Sequence, residues 1–215
     1  MSAYYSAARL VASGFFGLVT GWDIRGRQHV PRSGRLIVAA NHISFWDPPM
    51  IGAALPREVH FLAKEELFRT PGLGTMIRSV NAIPIRRGVA DLSGLARALE
   101  VLRRDEGLLM FPEGSRMRDG ELHPARPGVG MMAVQGDAPI VPCYISGSNQ
   151  PRRWWFRGVR VRVWFGPARH WKELVGPEED LTPGRALYQK VGEAIMREIA
   201  ILRTGQETAA SRGAA

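Results

Sequence analysis

The sequence predicts an α/β fold: one domain built on a central mixed sheet flanked by helices, with an apolar, membrane-interacting helix at the N-terminus. Three observations predict it. Short apolar runs alternate with longer amphipathic ones along the chain. Several of the short runs end in polar turns rich in Gly or Pro, where open α/β sheets place their ligands. Finally, 215 residues at 45% hydrophobic content are enough for one core and short of two.

The elements follow in order. Between Ala3 and Trp22 the only charged side chain is Arg9, and the apolar run is too short and Gly-rich for a clean bilayer span. No basic leader with a small-residue cleavage site is evident. Residues 1–22 therefore read as an apolar membrane-associating segment lying in one leaflet, and an ordinary packed helix is the alternative. Residues 23–203 read as the single folded domain, and 204–215, rich in Ala, Gly and Ser, as a disordered tail. Within the domain, 35–40 is a buried strand. Asp47 followed by two prolines starts a helix running to about Ala54, with Asp47 as its cap. Short strands follow at 59–63 and 82–85, the second weakened by Pro84. Asp91 caps the clearest helix, with Leu92, Leu95, Leu99 and Leu102 at helical spacing and Gly107 stopping it. Strands at 108–111, 139–145 and 159–165, a helix at 128–134 and a last amphipathic helix at 181–202 complete the pattern.

The charge balance is +9, and almost all of the basic excess is arginine, since Lys64, Lys172 and Lys190 are the only lysines. Such a chain favours anionic partners, and arginine grips phosphate with a planar fork. Cys143 is the single cysteine, so an internal disulfide and a Cys-based zinc site are both excluded. His29, His60, His123 and His170 are scattered and form no metal-ligand pattern, and no nucleophile-elbow or phosphate-loop motif occurs.

Four segments carry chemistry. The run NHISFWD places His42 and Asp47 five residues apart at a strand-to-helix junction. On one continuous helix these would point about 140° apart, so they meet only if the chain turns between them. Once paired, the carboxylate would fix the imidazole tautomer and free the other ring nitrogen to take a proton from an alcohol. The run FPEGSR delivers Glu113, Gly114, Ser115 and Arg116 to one turn, where hydroxyl and guanidinium suit phosphate oxygens. Taken alone, that turn reads equally well as a local Glu–Arg pair. The run NAIPIRRG ends a strand in Arg86 and Arg87, which suit a phosphate or simply solvate a basic turn. The fourth, IVPCYI, is plain core strand whose other possible role is to line an acyl-chain channel.

In this order the four segments resemble the motif blocks of the lysophosphatidate acyltransferase family, the glycerolipid acyltransferases marked by an NHxxxxD and an FPEGTR block. The resemblance covers 41 to about 145. It implies a transfer of a fatty acyl group from acyl-CoA or acyl carrier protein to the sn-2 hydroxyl of 1-acylglycerol-3-phosphate, giving phosphatidate. It implies His42 as the base and Asp47 as its partner. It implies Arg87, Glu113, Gly114, Ser115, Arg116 and Arg126 as acceptor-binding, and Val141 and Pro142 beside the acyl donor. No cofactor or metal is expected, because a thioester is already activated. The chain departs from the family at Asn81, where glycine is usual, at Arg86, often acidic, and at Ser115, usually threonine. These departures bear on the acceptor, and another lyso-lipid is the alternative substrate. A non-catalytic binder of anionic lipid or nucleic acid is the rival of a different class, but no nucleic-acid motif supports it.

Backbone N–H groups near the His42 turn are candidates to hold the tetrahedral oxyanion, and Arg126 is a weaker one. Both substrates are lipids, so the enzyme is expected on the cytoplasmic face of the cell membrane, peripheral or monotopic, in contact with phospholipid. Phe15 and Phe16 in the N-terminal segment, and Trp154 and Trp155 in the run RRWWFR, are the expected membrane contacts.

Overall fold

The structure, a computed structural model, describes residues 3–86, 91–156, 159–177 and 181–212. It is an α/β fold with a central mixed sheet flanked by helices. The strands are β1 (Asp23–Arg25), β2 (Leu36–Ala40), β3 (His60–Lys64), β4 (Ala82–Ile85), β5 (Gly107–Met110), β6 (Ile140–Ser146) and β7 (Arg162–Phe165). They lie in the order β1-β7-β6-β2-β5-β3-β4. All neighbours pair in parallel except β6 and β7.

β2 is central and buried on both faces, which is why Leu-Ile-Val-Ala-Ala is apolar without alternation. Leu36, Val38 and Ala40 pack under helix α2 (Asp47–Ala54), through Met50, Ile51 and Ala54. Ile37 and Ala39 face the opposite layer, built from α4 (Leu92–Arg103), α5 (Pro127–Gly136) and α8 (Arg185–Arg212). Parallel pairing of β6, β2, β5, β3 and β4 brings their C-terminal ends to one edge of the sheet. His42, Pro112, Lys64 and Gly147 therefore leave the sheet on the same side, although they are far apart in sequence.

Helix α1 (Ala3–Thr20) packs along α2. Its Tyr5 hydroxyl accepts from Val59 N at 3.3 Å, and Arg9 Nη1 donates to Leu55 O at 3.0 Å. No helix of the described residues is long and apolar enough to cross a membrane. Three further short helices, α3 (Leu73–Ser79), α6 (Pro151–Trp154) and α7 (Trp171–Val175), and strand β1 are absent from the sequence reading. Each is too short to show a period.

The helix of residues 92–103 turns slightly from its expected face. Leu92 is exposed, while Ala98, Val101 and Leu102 are buried. Leu92 is the first helical residue, and its position is set by the cap rather than by the stripe. Asp91 does cap this helix: Oδ1 accepts from Gly94 N and Ser93 Oγ, and Oδ2 from Arg86 N at 2.8 Å. These donors hold its carboxyl well below the usual carboxylate range. Asp91→Asn keeps a capping oxygen for Gly94 N but takes the acceptor from Arg86 N, and is therefore expected to lower Tm by about 2–4 °C at neutral pH. Because the native pKa is depressed, this contribution is full above about pH 4 and fades as pH falls through the native pKa. Thermal melts across that range check it.

At the other end, α8 runs to Arg212, past the start of the expected disordered tail at 204. Gln206 explains the difference. It is buried, accepts from Ser146 Oγ at 2.8 Å and donates to Tyr144 O at 3.2 Å, so it ties the last turns to β6.

Candidate active site

The loop that leaves β2 folds back on itself. Asn41 extends the ladder: its Nδ2 donates to Ile145 O at 3.0 Å and its Oδ1 accepts from Ile145 N at 2.8 Å. A side-chain amide thus takes the place of one more residue pair between β2 and β6. The turn that follows brings His42 Nδ1 to 2.8 Å from Asp47 Oδ2. That same oxygen accepts from Ile43 N at 2.8 Å and Ser44 N at 2.7 Å. Asp47 is fully buried, and these backbone donors, with the imidazole, are what make an ionised carboxylate tolerable there. The sequence reads Asp47 as the cap of α2; its carboxylate instead turns back to the residues before the helix.

Ser148 donates through Oγ to Asp47 Oδ1, the carboxylate oxygen that the turn leaves open. Sequence reasoning misses it, and no signal there could find it: the two residues are 101 positions apart and meet only because β6 pairs with β2. Ser148 is fully buried, and its loop is held by Trp154, whose Nε1 donates to Gly147 O at 3.0 Å. Ser148→Ala is expected to lower kcat about tenfold without moving the acceptor KM, because it removes one charge-assisted bond that fixes the carboxylate. Steady-state kinetics against both substrates check this.

The turn after β5 wraps the imidazole from the other side. The Phe111 ring stacks on it, with centroids 4.0 Å apart. His42 N donates to Glu113 Oε2 at 2.8 Å, and Met117 N donates to His42 O at 2.7 Å. The second Glu113 oxygen accepts from His123 N at 3.2 Å. Glu113 is buried, and that burial pushes its carboxyl upward, opposed by the two backbone donors. Each of its oxygens thus accepts from the protein's own backbone, an arrangement that fixes the position of His42. Gly114 sits at φ 72, and a Cβ there would come within 2.7 Å of Arg126 Cδ. Arg126 N also bonds Pro112 O at 2.8 Å, so Arg126 braces this turn from outside. Ser115 is half-buried in the same turn.

With Nδ1 committed to Asp47, Nε2 is the ring nitrogen left free among the described residues. His42 lines an apolar cavity of about 280 Å³. Ala8 and Ala12 of α1, Phe61 of β3, and Leu73, Met76 and Ile77 of α3 supply much of its wall. Arg116 is on the same lining.

Three sets of expected placements change. Ile43 N and Ser44 N are occupied by Asp47, and His42 N by Glu113, so these groups are not free to hold an oxyanion. Val141 and Pro142 are buried within β6, where Val141 pairs with Val38, and they do not line the cavity. Phe16 and Trp154 are only 3% exposed and pack inward. Phe15 at 45% and Trp155 at 68% do face outward, and so does Phe156 at 87%, which the sequence reading passes over. Arg87 lies outside the described residues.

A buried His–Asp pair opening onto an apolar cavity beside an arginine suits transfer chemistry on a lipid, and known proteins agree. The sequence model of the family described as Acyltransferase matches residues 22–146. The chain belongs to this acyltransferase family. It is 24% identical over 177 residues to the 1-acyl-sn-glycerol-3-phosphate acyltransferase of Bacillus subtilis, covering 80% of this chain and 87% of that one. It is 31% identical to the enzyme of the same description from Streptococcus pneumoniae, covering 59% of this chain. It spans about half of that relative's length. The crystal structure of the 1-acyl-sn-glycerophosphate (LPA) acyltransferase PlsC from Thermotoga maritima superposes with a TM-score of 0.70 at 26% identity. The match covers 93% of this chain and 79% of that one. The protein is thus an O-acyltransferase of the acyltransferase family, as the motif resemblance implies.

Proposed function

We propose that this acyltransferase moves a fatty acyl group from a thioester, acyl-CoA or acyl carrier protein, to the free hydroxyl of lysophosphatidate, giving phosphatidate. The observation that carries the reading is the orientation of the pair: Asp47 holds Nδ1, and His42 borders the apolar cavity beside Arg116. His42 Nε2 takes the proton of the acceptor hydroxyl. The oxygen attacks the thioester carbonyl, the tetrahedral intermediate collapses with loss of the C–S bond, and the thiolate leaves with the proton returned from the imidazole. Asp47 keeps the tautomer and balances the imidazolium without itself being protonated. The cavity takes an acyl chain, and Arg116 offers a fork to the acceptor phosphate.

The same reading places the enzyme peripherally on the cytoplasmic face of a membrane. Leu10, Val11, Phe15 and Leu18 of α1 are exposed on one side of the molecule with Trp155 and Phe156, and Phe15 and Trp155 stack edge to face at 6.4 Å. Arg152 and Arg153, both exposed, flank that tip. Aromatic side chains beside arginines suit the headgroup layer of an anionic bilayer.

The test is release of free thiol from palmitoyl thioesters with a panel of acceptors on vesicles. Lysophosphatidate is expected to outperform lysophosphatidylglycerol and neutral lysolipids, and Trp155→Ser with Phe156→Ser to reduce sedimentation with anionic vesicles. A preference for another lyso-lipid would change the acceptor, and no turnover with any acceptor would remove the reading.

A further inference from the structure

A second depression lies on the far side of α3 from the apolar cavity. Its volume is about 670 Å³, and it runs along β4, the edge strand of the sheet. The two spaces share a wall. Lys64, Leu67 and Ile77 face the cavity, while their neighbours Glu65, Phe68 and Arg78 face the groove. The groove's floor is apolar, made by Phe68, Ala82 and Pro84. Its rim is basic, with Arg69, Arg78, Arg86 and Arg97 set against Glu65 and Asp91.

The two acids do not cancel the four arginines. Glu65 is taken by Arg69 at 3.0 Å. Asp91 is buried and satisfied by two backbone N–H groups and Ser93, with the Arg86 guanidinium no nearer than 4.0 Å. Arg78 lies over the Phe68 ring at 5.3 Å, and Arg97 donates one nitrogen to Pro84 O at 2.8 Å. Neither has a carboxylate partner among the described residues. Their planes are therefore braced while their charge is left for a ligand. Backbone pairing by another strand is blocked here, since Pro84 lacks an N–H, its carbonyl is used by Arg97, and Arg86 N is used by Asp91.

Position selects the ligand. The edge strand is three strands from β2 in the order β2-β5-β3-β4, or roughly 14 Å from the base of His42. The phosphate of a lysophosphatidate is only one carbon removed from the carbon bearing the reacting hydroxyl, which favours a place for it on the His42 side of that gap, where Arg116 lines the cavity. The anionic end of the thioester donor lies farther from the reacting carbonyl, and an extended pantetheine arm bridges a gap of that order. Arginine forks suit phosphates, and arginine planes over an apolar floor suit a purine.

We infer that the groove bordered by Arg78, Arg86 and Arg97 holds the phosphorylated adenosine of coenzyme A, so that the donor is acyl-CoA. The inference rests on the thioester-transfer reading above and adds the identity of the donor.

The test uses the full chain and the variant Arg78→Glu/Arg86→Glu. Coenzyme A itself, which cannot react, is titrated calorimetrically into both proteins. Binding to the wild type that weakens at least about tenfold in the variant is expected, from the loss of charge-assisted bonds to phosphate. In turnover, the KM for palmitoyl-CoA is expected to rise about tenfold in the variant. The KM for lysophosphatidate, and the rate with palmitoyl-N-acetylcysteamine, which keeps the thioester and lacks the nucleotide, should stay within about twofold; that unchanged rate also shows the variant is folded. No binding of coenzyme A to the wild type overturns the inference. So does a variant that loses acyl carrier protein turnover while keeping that of acyl-CoA, or one whose lysophosphatidate KM is what rises. A wild type that binds coenzyme A yet transfers no acyl group from any thioester fails the reading of function and leaves the nucleotide site standing.

Discussion

His42→Ala is expected to lower thioester turnover about 10²–10⁴-fold while leaving the fold in place. Nothing else on the cavity lining can take its role: Arg9, Lys64 and Arg116 are the other ionisable groups there apart from the Tyr5 phenol, whose proton burial holds more tightly still. The backbone of residue 42 carries the bonds to Glu113 and Met117, so an alanine keeps them. Asp47→Asn is expected to cost a comparable factor for a different reason. Its amide offers one oxygen where Oδ2 now serves the imidazole and two backbone N–H groups, and its nitrogen turned toward Nδ1 would select the other tautomer. Circular dichroism with steady-state rates separates the two, since only the Asp47 variant should lose stability as well. Turnover by His42→Ala within a few-fold of wild type would end the general-base mechanism.

Glu113→Gln is expected to lower kcat about 10–100-fold with little change in the acceptor KM. Two backbone groups, His42 N and His123 N, depend on its two oxygens. An amide can satisfy only one of them, and the other is left buried at a cost of about 1–3 kcal/mol. The imidazole moves with its backbone, away from the line between hydroxyl and thioester. The sequence reading of Glu113 as an acceptor ligand makes the opposite forecast: a raised lysophosphatidate KM at unchanged kcat. The split between the two parameters decides which role is right.

Local pattern made some of this architecture legible before any coordinates. The unbroken apolar run at Leu36–Ala40 reads as a doubly buried strand, and it is the central one. Asp91 reads as a helix cap, and its carboxylate receives the expected N–H. The requirement that the chain turn between His42 and Asp47 follows from helix geometry alone, and the turn is there. What could not be read is what depends on strands meeting. The Ser148 hydroxyl on Asp47, the Asn41 amide on Ile145 and the Phe111 ring on His42 each join segments about 70 or more residues apart, and only the pairing of β6, β2 and β5 creates them. Inward or outward orientation was equally hidden. Phe15 and Phe16 are adjacent and alike in sequence, yet helical rotation sends one to the surface and one to the core. Trp154 and Trp155 divide in the same way.

Helix α1 has two faces with different duties. Leu10, Val11 and Leu18 look outward, while Tyr5, Ala8 and Ala12 close one side of the space that His42 borders. The helix is therefore a shutter as well as a foothold. Strip it away and bulk water reaches the imidazole, the attraction between imidazolium and carboxylate weakens in the higher dielectric, and the activated carbonyl meets water as a second nucleophile in vast excess. Fidelity of transfer over hydrolysis is then a property of the first eighteen-odd residues as much as of the two that do the chemistry.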